Sequence, residues 1–219
     1  MASSGTYAWS PDIQEFLDEA FERCGVSPKS LVQEHLTSAR RSMNFLLADW
    51  ATKDVHLWLV DEQTQTLTAG QETYTAPDGT VLIMDAVVRR SGIDTPVHHI
   101  DRTAYHNIPS KTQEGLPTNL FFDAKTGQYK LWNVPENSTD VLRFWRMRRA
   151  QDVTAGQETP DVPYKWFEAL AAGTAHFLAK KYAPDRIGAL ETDAAKSFNS
   201  AKMADRQRTD TRFTMRLGR

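Results

Sequence analysis

Residues 27–60 read SPKSLVQEHLTSARRSMNFLLADWATKDVHLWLV, and the change of period inside this stretch decides the fold class. Up to about Thr52 the apolar residues Val32, Leu36, Ala39, Met43, Leu46, Leu47 and Trp50 return every three or four positions, the mark of one helical face. Ser27 and Pro28 supply an N-cap and a first-turn proline. At 1.5 Å per residue such a helix spans about 40 Å. Its other sides carry Gln33, Glu34, Arg40, Arg41 and Asp49, as expected for one wall of a helical bundle. From His56 the helical period is lost.

Downstream, eight short segments rich in Val, Ile, Thr, Tyr, Phe and Trp follow one another: His56–Val60, Thr66–Thr68, Glu72–Thr75, Thr80–Arg90, Val97–Ile100, Asn119–Asp123, Tyr129–Asn133 and Asp140–Arg148. Turn formers separate them, among them Ala69-Gly70, Pro77-Asp78-Gly79, Ser91-Gly92 and Lys125-Thr126-Gly127. This spacing predicts a small antiparallel β-sandwich-like domain. The clearest hairpin runs from Leu120–Asp123 to Tyr129–Trp132, with Gly127 free to take the positive φ of the turn. The loop between Ile100 and Thr118 is long enough to bind something or to pack over a sheet.

Helical periodicity flanks the β-region. Upstream, Ile13, Phe16, Leu17, Ala20 and Phe21 share a face, with Ser10 as N-cap, Pro11 at the first position and Gly25 as terminator. Downstream, Trp166, Phe167, Leu170, Thr174, Phe177 and Leu178 line a helix that Pro184 stops. Its small residues Ala171, Ala172, Gly173 and Ala175 admit a close helix neighbour, which places it at the centre of the helical layer. A last helix carries Ile187, Leu190, Ala194, Phe198 and Ala201 and fades into an Arg-rich tail without a core of its own. The expected class is α+β, a bundle of about four helices with an inserted β-domain. The expected boundaries are 1–54 for the first helices, 55–160 for the β-domain, 161–203 for the returning helices and 204–219 for an extended basic tail.

The 219 residues are 40% hydrophobic, 25% charged and 10% aromatic, which excludes wholesale disorder and collagenous repeats. No apolar run approaches the roughly 20 residues of a membrane helix, and residues 1–10 do not read as a secretory signal. The Asn137-Ser138-Thr139 acceptor pattern therefore carries no glycosylation reading. A single cysteine, Cys24, excludes an internal disulfide and suits a reducing compartment. Net charge is -2, but it is unevenly spread. The first helix holds Asp12, Glu15, Asp18, Glu19 and Glu22 against Arg23, while the end of the chain holds Lys202, Arg206, Arg208, Arg212, Arg216 and Arg219 against Asp205 and Asp210. Such asymmetry suits nucleic acid, an acidic protein surface, or head-to-tail packing of identical subunits.

His98, His99, Asp101 and His106 form the one histidine cluster, yet neighbours on a strand point to opposite faces, so His98 and His99 do not share an ion. No metal site and no cofactor is expected. Cys24 sits at a helix carboxyl end, where the dipole disfavours a thiolate. Nucleophile-elbow and nucleotide-loop patterns are missing, and Thr68–Thr73, repeated at Thr154–Thr159 as Thr-Ala-Gly-Gln-Glu-Thr, reads as a pair of turns. Carboxylate pairs such as Asp18 with Glu19 or Glu15 with Glu22 read as a solvated helix side; the alternative reading, a peptidoglycan hydrolase, would draw on Glu15, Glu22 or Glu168. Arg143, Arg146, Arg148 and Arg149, with Phe144 and Trp145 between, are a candidate interface, or else a sequence-independent nucleic-acid platform. Alternation along a strand splits these arginines between two faces.

The order of parts resembles the head-to-tail adaptors of tailed bacteriophages, and the tail tubular protein A type among them. The likeness rests on Ala39–Trp50, Leu67–Tyr74, Asp101–Tyr105, Gly115–Thr118, Leu131–Pro135 and Trp166–Tyr182. It implies a non-enzymatic virion protein made in the host cytoplasm and placed at the head–tail junction. It also implies a ring of copies, commonly a dodecamer, between the portal protein and tail or nozzle proteins. In that arrangement helices wall a channel through which DNA passes without sequence recognition, and no membrane is involved. The carboxyl-terminal extension of such adaptors reaches the portal, which assigns portal binding here to Arg206, Arg208, Arg212, Phe213, Met215 and Arg216.

Overall fold

The computed structural model describes residues 5–53 and 57–205. The chain divides into two compact units, one formed by residues 1–47 with 152–219 and the other by residues 48–151. Among the described residues the fold is α+β, five α-helices and a curled mixed sheet of seven strands.

The first unit is built on α1 (Ile13–Arg23), most of α2 (Gln33–Lys53), α4 (Phe167–Tyr182) and α5 (Ile187–Asp205). In α1 the buried residues are those of the expected face, Ile13, Phe16, Leu17, Ala20 and Phe21. Its cap lies two residues later than expected. Asp12, not Ser10, is the N-cap, and its carboxylate accepts a hydrogen bond from Glu15 N at 2.9 Å. Gly25 ends the helix with φ 80°. The long helix also starts later: Pro28–Ser30 form one 3₁₀ turn, Leu31 is extended, and Val32 is exposed ahead of α2.

Helix α4 is central. Residues 169–175 are buried without a break, so its small residues face neighbours on several sides. A Cβ on Gly173 would stand 2.7 Å from Leu46 Cδ2, so α2 rides directly on the α4 backbone. Residues 152–158 belong to this unit. Asn44 on α2 brackets Val153, receiving its N–H at 2.8 Å and donating to its carbonyl at 3.1 Å. Backbone bonds from Ile13 N to Glu158 O and from Gln14 N to Gly156 O, each 2.9 Å, tie the same segment to α1.

The second unit is a sheet in the order β1-β9-β3-β4-β6-β7-β2, formed by Val60–Thr66, Val141–Arg148, Thr80–Arg90, Ile93–His99, Asn119–Asp123, Gln128–Trp132 and Thr73–Thr75. A separate pair joins β5 (Glu114–Gly115) to β8 (Val134–Pro135). The hairpin β6–β7 has the expected register, Leu120 opposite Leu131, with Gly127 at φ 67°. The sandwich-like impression comes from one sheet curling on itself. Strand β4 joins the two halves through a short parallel pairing with β6, His98 opposite Asn119, and the inner face closes on Leu67, Tyr74, Val88, Val97, Leu120, Tyr129, Leu131, Leu142 and Phe144. Register shifts in β3 between Thr80 and Leu82 and between Ile83 and Ala86 mark the irregularities that accompany strong local bending.

Two details differ from the sequence reading. Leu57–Leu59 form a 3₁₀ turn, with His56 outside the described residues, and the strand follows at Val60–Thr66. The long loop after Ile100 contains a short helix, α3 (Arg102–His106), capped by Asp101, and strand β5.

Candidate interaction surfaces

The helical unit carries an aromatic groove of about 570 Å³. Its wall on α1 is set by helical repetition: Glu15, Glu19 and Arg23 recur at four-residue steps, with Phe16 beside them. Tyr164, Lys165, Phe167, Glu168 and Ala171, with the lead-in residues Trp9 and Pro11, complete the lining. Phe167 is the hub, meeting Trp9, Phe16 and Tyr164 edge-on at centroid distances of 5.8, 5.2 and 6.0 Å. Trp9 and Tyr164 remain 66% and 74% exposed, so the groove presents apolar rings to its surroundings.

Charge at the groove is mostly paired internally. Arg23 donates Nη1 and Nη2 to the two Glu168 oxygens at 2.8 and 2.9 Å and Nε to Glu19 at 2.7 Å. These bonds raise the Arg23 pKa further above its ordinary value and hold the Glu168 carboxyl below the usual range. Glu168 is therefore a carboxylate at neutral pH, unsuited to the raised-pKa general acid that glycoside hydrolysis requires. Glu22 is exposed and is not among the lining residues. Lys165 pairs with the buried carboxylate of Asp205, the last described residue of α5.

Alternation along β9 does divide the candidate arginines. Leu142, Phe144 and Arg146 share one side of the strand, while Arg143 and Trp145 lie on the other. Arg146 is 7% exposed. Its guanidinium donates to Asp61 through Nε at 2.8 Å and Nη2 at 3.2 Å, and Nη1 donates to Pro77 O, Asp78 O and Thr80 Oγ1 at 2.9, 3.0 and 2.7 Å. It acts as a pin for the 77–80 turn. Arg143 pairs with Glu62 at 2.5 Å and Arg148 approaches Asp61 at 3.9 Å, while Arg149 N donates to Gly79 O. Arg143, Arg146 and Arg148, each facing a neighbouring carboxylate, form a poor phosphate platform.

The portal-binding candidates Arg206, Arg208, Arg212, Phe213, Met215 and Arg216 lie outside the described residues. Among the described residues no group of three or more His, Cys, Asp or Glu side chains is arranged to hold a metal ion. Cys24 is buried, its Sγ 3.4 Å from Ala175 O, and burial pushes its thiol pKa up. No helix among the described residues is long and apolar enough to cross a membrane.

Residue patterns alone did not single out Trp9 or Tyr164. Both stand outside periodic segments, and the available signal was an aromatic in a polar lead-in to a helix. No curated protein matches the chain. The family description "SU10 adaptor protein" matches residues 11–218, nearly the whole chain and both units. Together with the two-unit α+β architecture, this match shows that the chain belongs to the SU10 adaptor protein family, a family of phage head-to-tail adaptors.

Proposed function

We propose that this structural phage protein works as a ring of identical subunits between the portal and the tail, of the tail tubular protein A type, with DNA passing through its channel. The observation that carries the reading is the family match over residues 11–218. The opposite charge of the chain's two ends supports heterologous packing, in which one patch of a subunit meets a different patch of the next and the contacts close into a ring. The Arg-rich residues 206–219 are the portal-docking element, with Phe213 and Met215 as apolar anchors between the guanidinium groups of Arg212 and Arg216.

Mixing the full chain with isolated portal rings and imaging by electron microscopy tests this proposal. An added annular layer on one end of the portal is expected. A chain lacking residues 206–219 should keep the far-ultraviolet circular dichroism of the full chain and leave the portal bare. Unchanged portal particles with the full chain, or docking by the shortened chain equal to wild type, would refute the assignment.

A further inference from the structure

In the aromatic groove the charges already have partners and the ring-borne hydrogen-bond donors do not. Arg23 holds Glu19 and Glu168, and Lys165 holds Asp205. Of the charged lining residues Glu15 alone lacks an ion-pair partner among the described residues, and it is exposed to solvent. A charged occupant would compete with these pairs, whereas a neutral one leaves them in place. Phe16 and Ala171, both buried, supply an apolar lining. The exposed rings of Trp9 and Tyr164 both stand edge-on to Phe167. Neither the Trp9 indole N–H nor the Tyr164 hydroxyl has a hydrogen-bond partner among the described residues. The indole only donates, and the hydroxyl is free to donate.

One kind of chain complements a neutral, apolar surface that carries free donors. A proline residue offers a carbonyl acceptor, no N–H and an apolar ring. In the polyproline II helix the backbone makes no internal hydrogen bonds, so its carbonyls stay available, and three residues advance about 9 Å. Trp9 and Tyr164 each lie within 6.0 Å of Phe167, so their centroids are at most about 12 Å apart, a span of little more than one such turn. An α-helix fits less well, because its carbonyls are already paired within the helix and both donors would stay unsatisfied. An added β-strand needs a sheet edge, and the described residues of the helical unit contain no strand.

We infer that the groove docks a proline-rich segment of a partner polypeptide in the polyproline II conformation. Its proline rings rest on Phe16, Phe167 and Ala171, and its carbonyls accept from Trp9 Nε1 and Tyr164 Oη. A ligand this rigid loses little conformational freedom on docking, so a small contact area is enough. The inference rests on the groove alone and is independent of ring assembly and portal docking.

Titrating the full chain with acetylated, amidated octa-L-proline while following the tryptophan indole N–H signals by NMR provides the test, with Trp9→Phe identifying the Trp9 signal. A saturable shift of that signal is expected. Octa-D-proline, with the same composition and the opposite hand, should bind at least tenfold more weakly. Tyr164→Ala should weaken octa-L-proline at least fivefold while the circular dichroism stays that of wild type. Raising the NaCl concentration tenfold should change the affinity less than twofold. No shift at millimolar peptide, equal binding of the two enantiomers, indifference to Tyr164→Ala, or a steep salt dependence would overturn the inference. A Trp9 signal that moves with protein concentration alone would also overturn it, assigning the groove to a second copy.

Discussion

Gly173 and Leu46 meet at the crossing of α2 and α4 so closely that a single added Cβ would lie 2.7 and 2.8 Å from the two Leu46 methyl groups. Overpacking costs about 1–3 kcal/mol, whereas replacing a helical glycine by alanine gains about 1 kcal/mol in propensity. Gly173→Ala should thus lose up to about 2 kcal/mol, and Gly173→Val more. Leu46→Ala alone should cost about 2–5 kcal/mol. The double variant Leu46→Ala with Gly173→Ala should be more stable than the sum of the singles by about 0.5–3 kcal/mol. Urea unfolding of the four proteins measures this, and strict additivity would show that the two residues do not press on each other.

The bond between Arg23 and Glu168 makes a pH prediction. Glu168 has a folded pKa below its ordinary value, so its contribution is present above the unfolded carboxyl pKa and is lost as pH falls through the folded one. The Glu168 side chain is 65% exposed, so screening limits the effect to at most about 1 kcal/mol. Glu168→Gln should lower the melting temperature slightly at pH 7. The gap between the two proteins should close under acid conditions below the folded pKa. A gap that persists there would assign it to packing.

Arg146 should matter more than any exposed arginine. Truncating one partner of a buried, hydrogen-bonded charge pair costs about 3–5 kcal/mol, and the half-exposed Asp61 places Arg146→Ala toward the lower end. Arg146→Lys keeps the charge but not the fork, and should recover only part of the loss. By comparison, Arg89→Lys, at an exposed pair with Asp94, should leave stability nearly unchanged. Chemical denaturation followed by the fluorescence of the β-unit tryptophans would rank these variants. Equal losses for Arg146→Lys and Arg89→Lys would contradict the role of Arg146 as a turn pin.

Cys24 should be slow to react. Burial raises its thiol pKa, and only the thiolate is nucleophilic. Iodoacetamide at pH 8 should modify the native chain at least tenfold more slowly than the urea-unfolded chain. The native rate should keep climbing at pH values where the unfolded rate has levelled off. Equal rates would show that the thiol is open to solvent.

The helices and the turn-bounded strands were legible because local periodicity and capping chemistry are written in neighbouring residues. Gly173 even announced a close helix contact by its small neighbours, although only the packing shows Leu46 as the partner. Strand β1 was largely invisible: Asp61–Thr66 is polar throughout, and it is a strand because it hydrogen-bonds along β9 at the edge of the sheet. The parallel pairing of β4 with β6 was equally hidden, since pairing partners distant along the chain leave no local signature.

For the arginines of β9, alternation in the sequence determined which residues share a face. The tertiary structure alone decided that Arg146 points to Asp61 and the 77–80 turn. The aromatic groove follows the same rule. Each wall is readable as one side of a helix, yet Trp9, Glu15, Phe167 and Glu168 form one surface only once α1 lies beside α4. Periodicity along the chain sets which side chains a helix or strand presents together. Which two such faces meet is decided by burying the most apolar area while pairing every enclosed charge, a condition on the whole fold that no local stretch can carry.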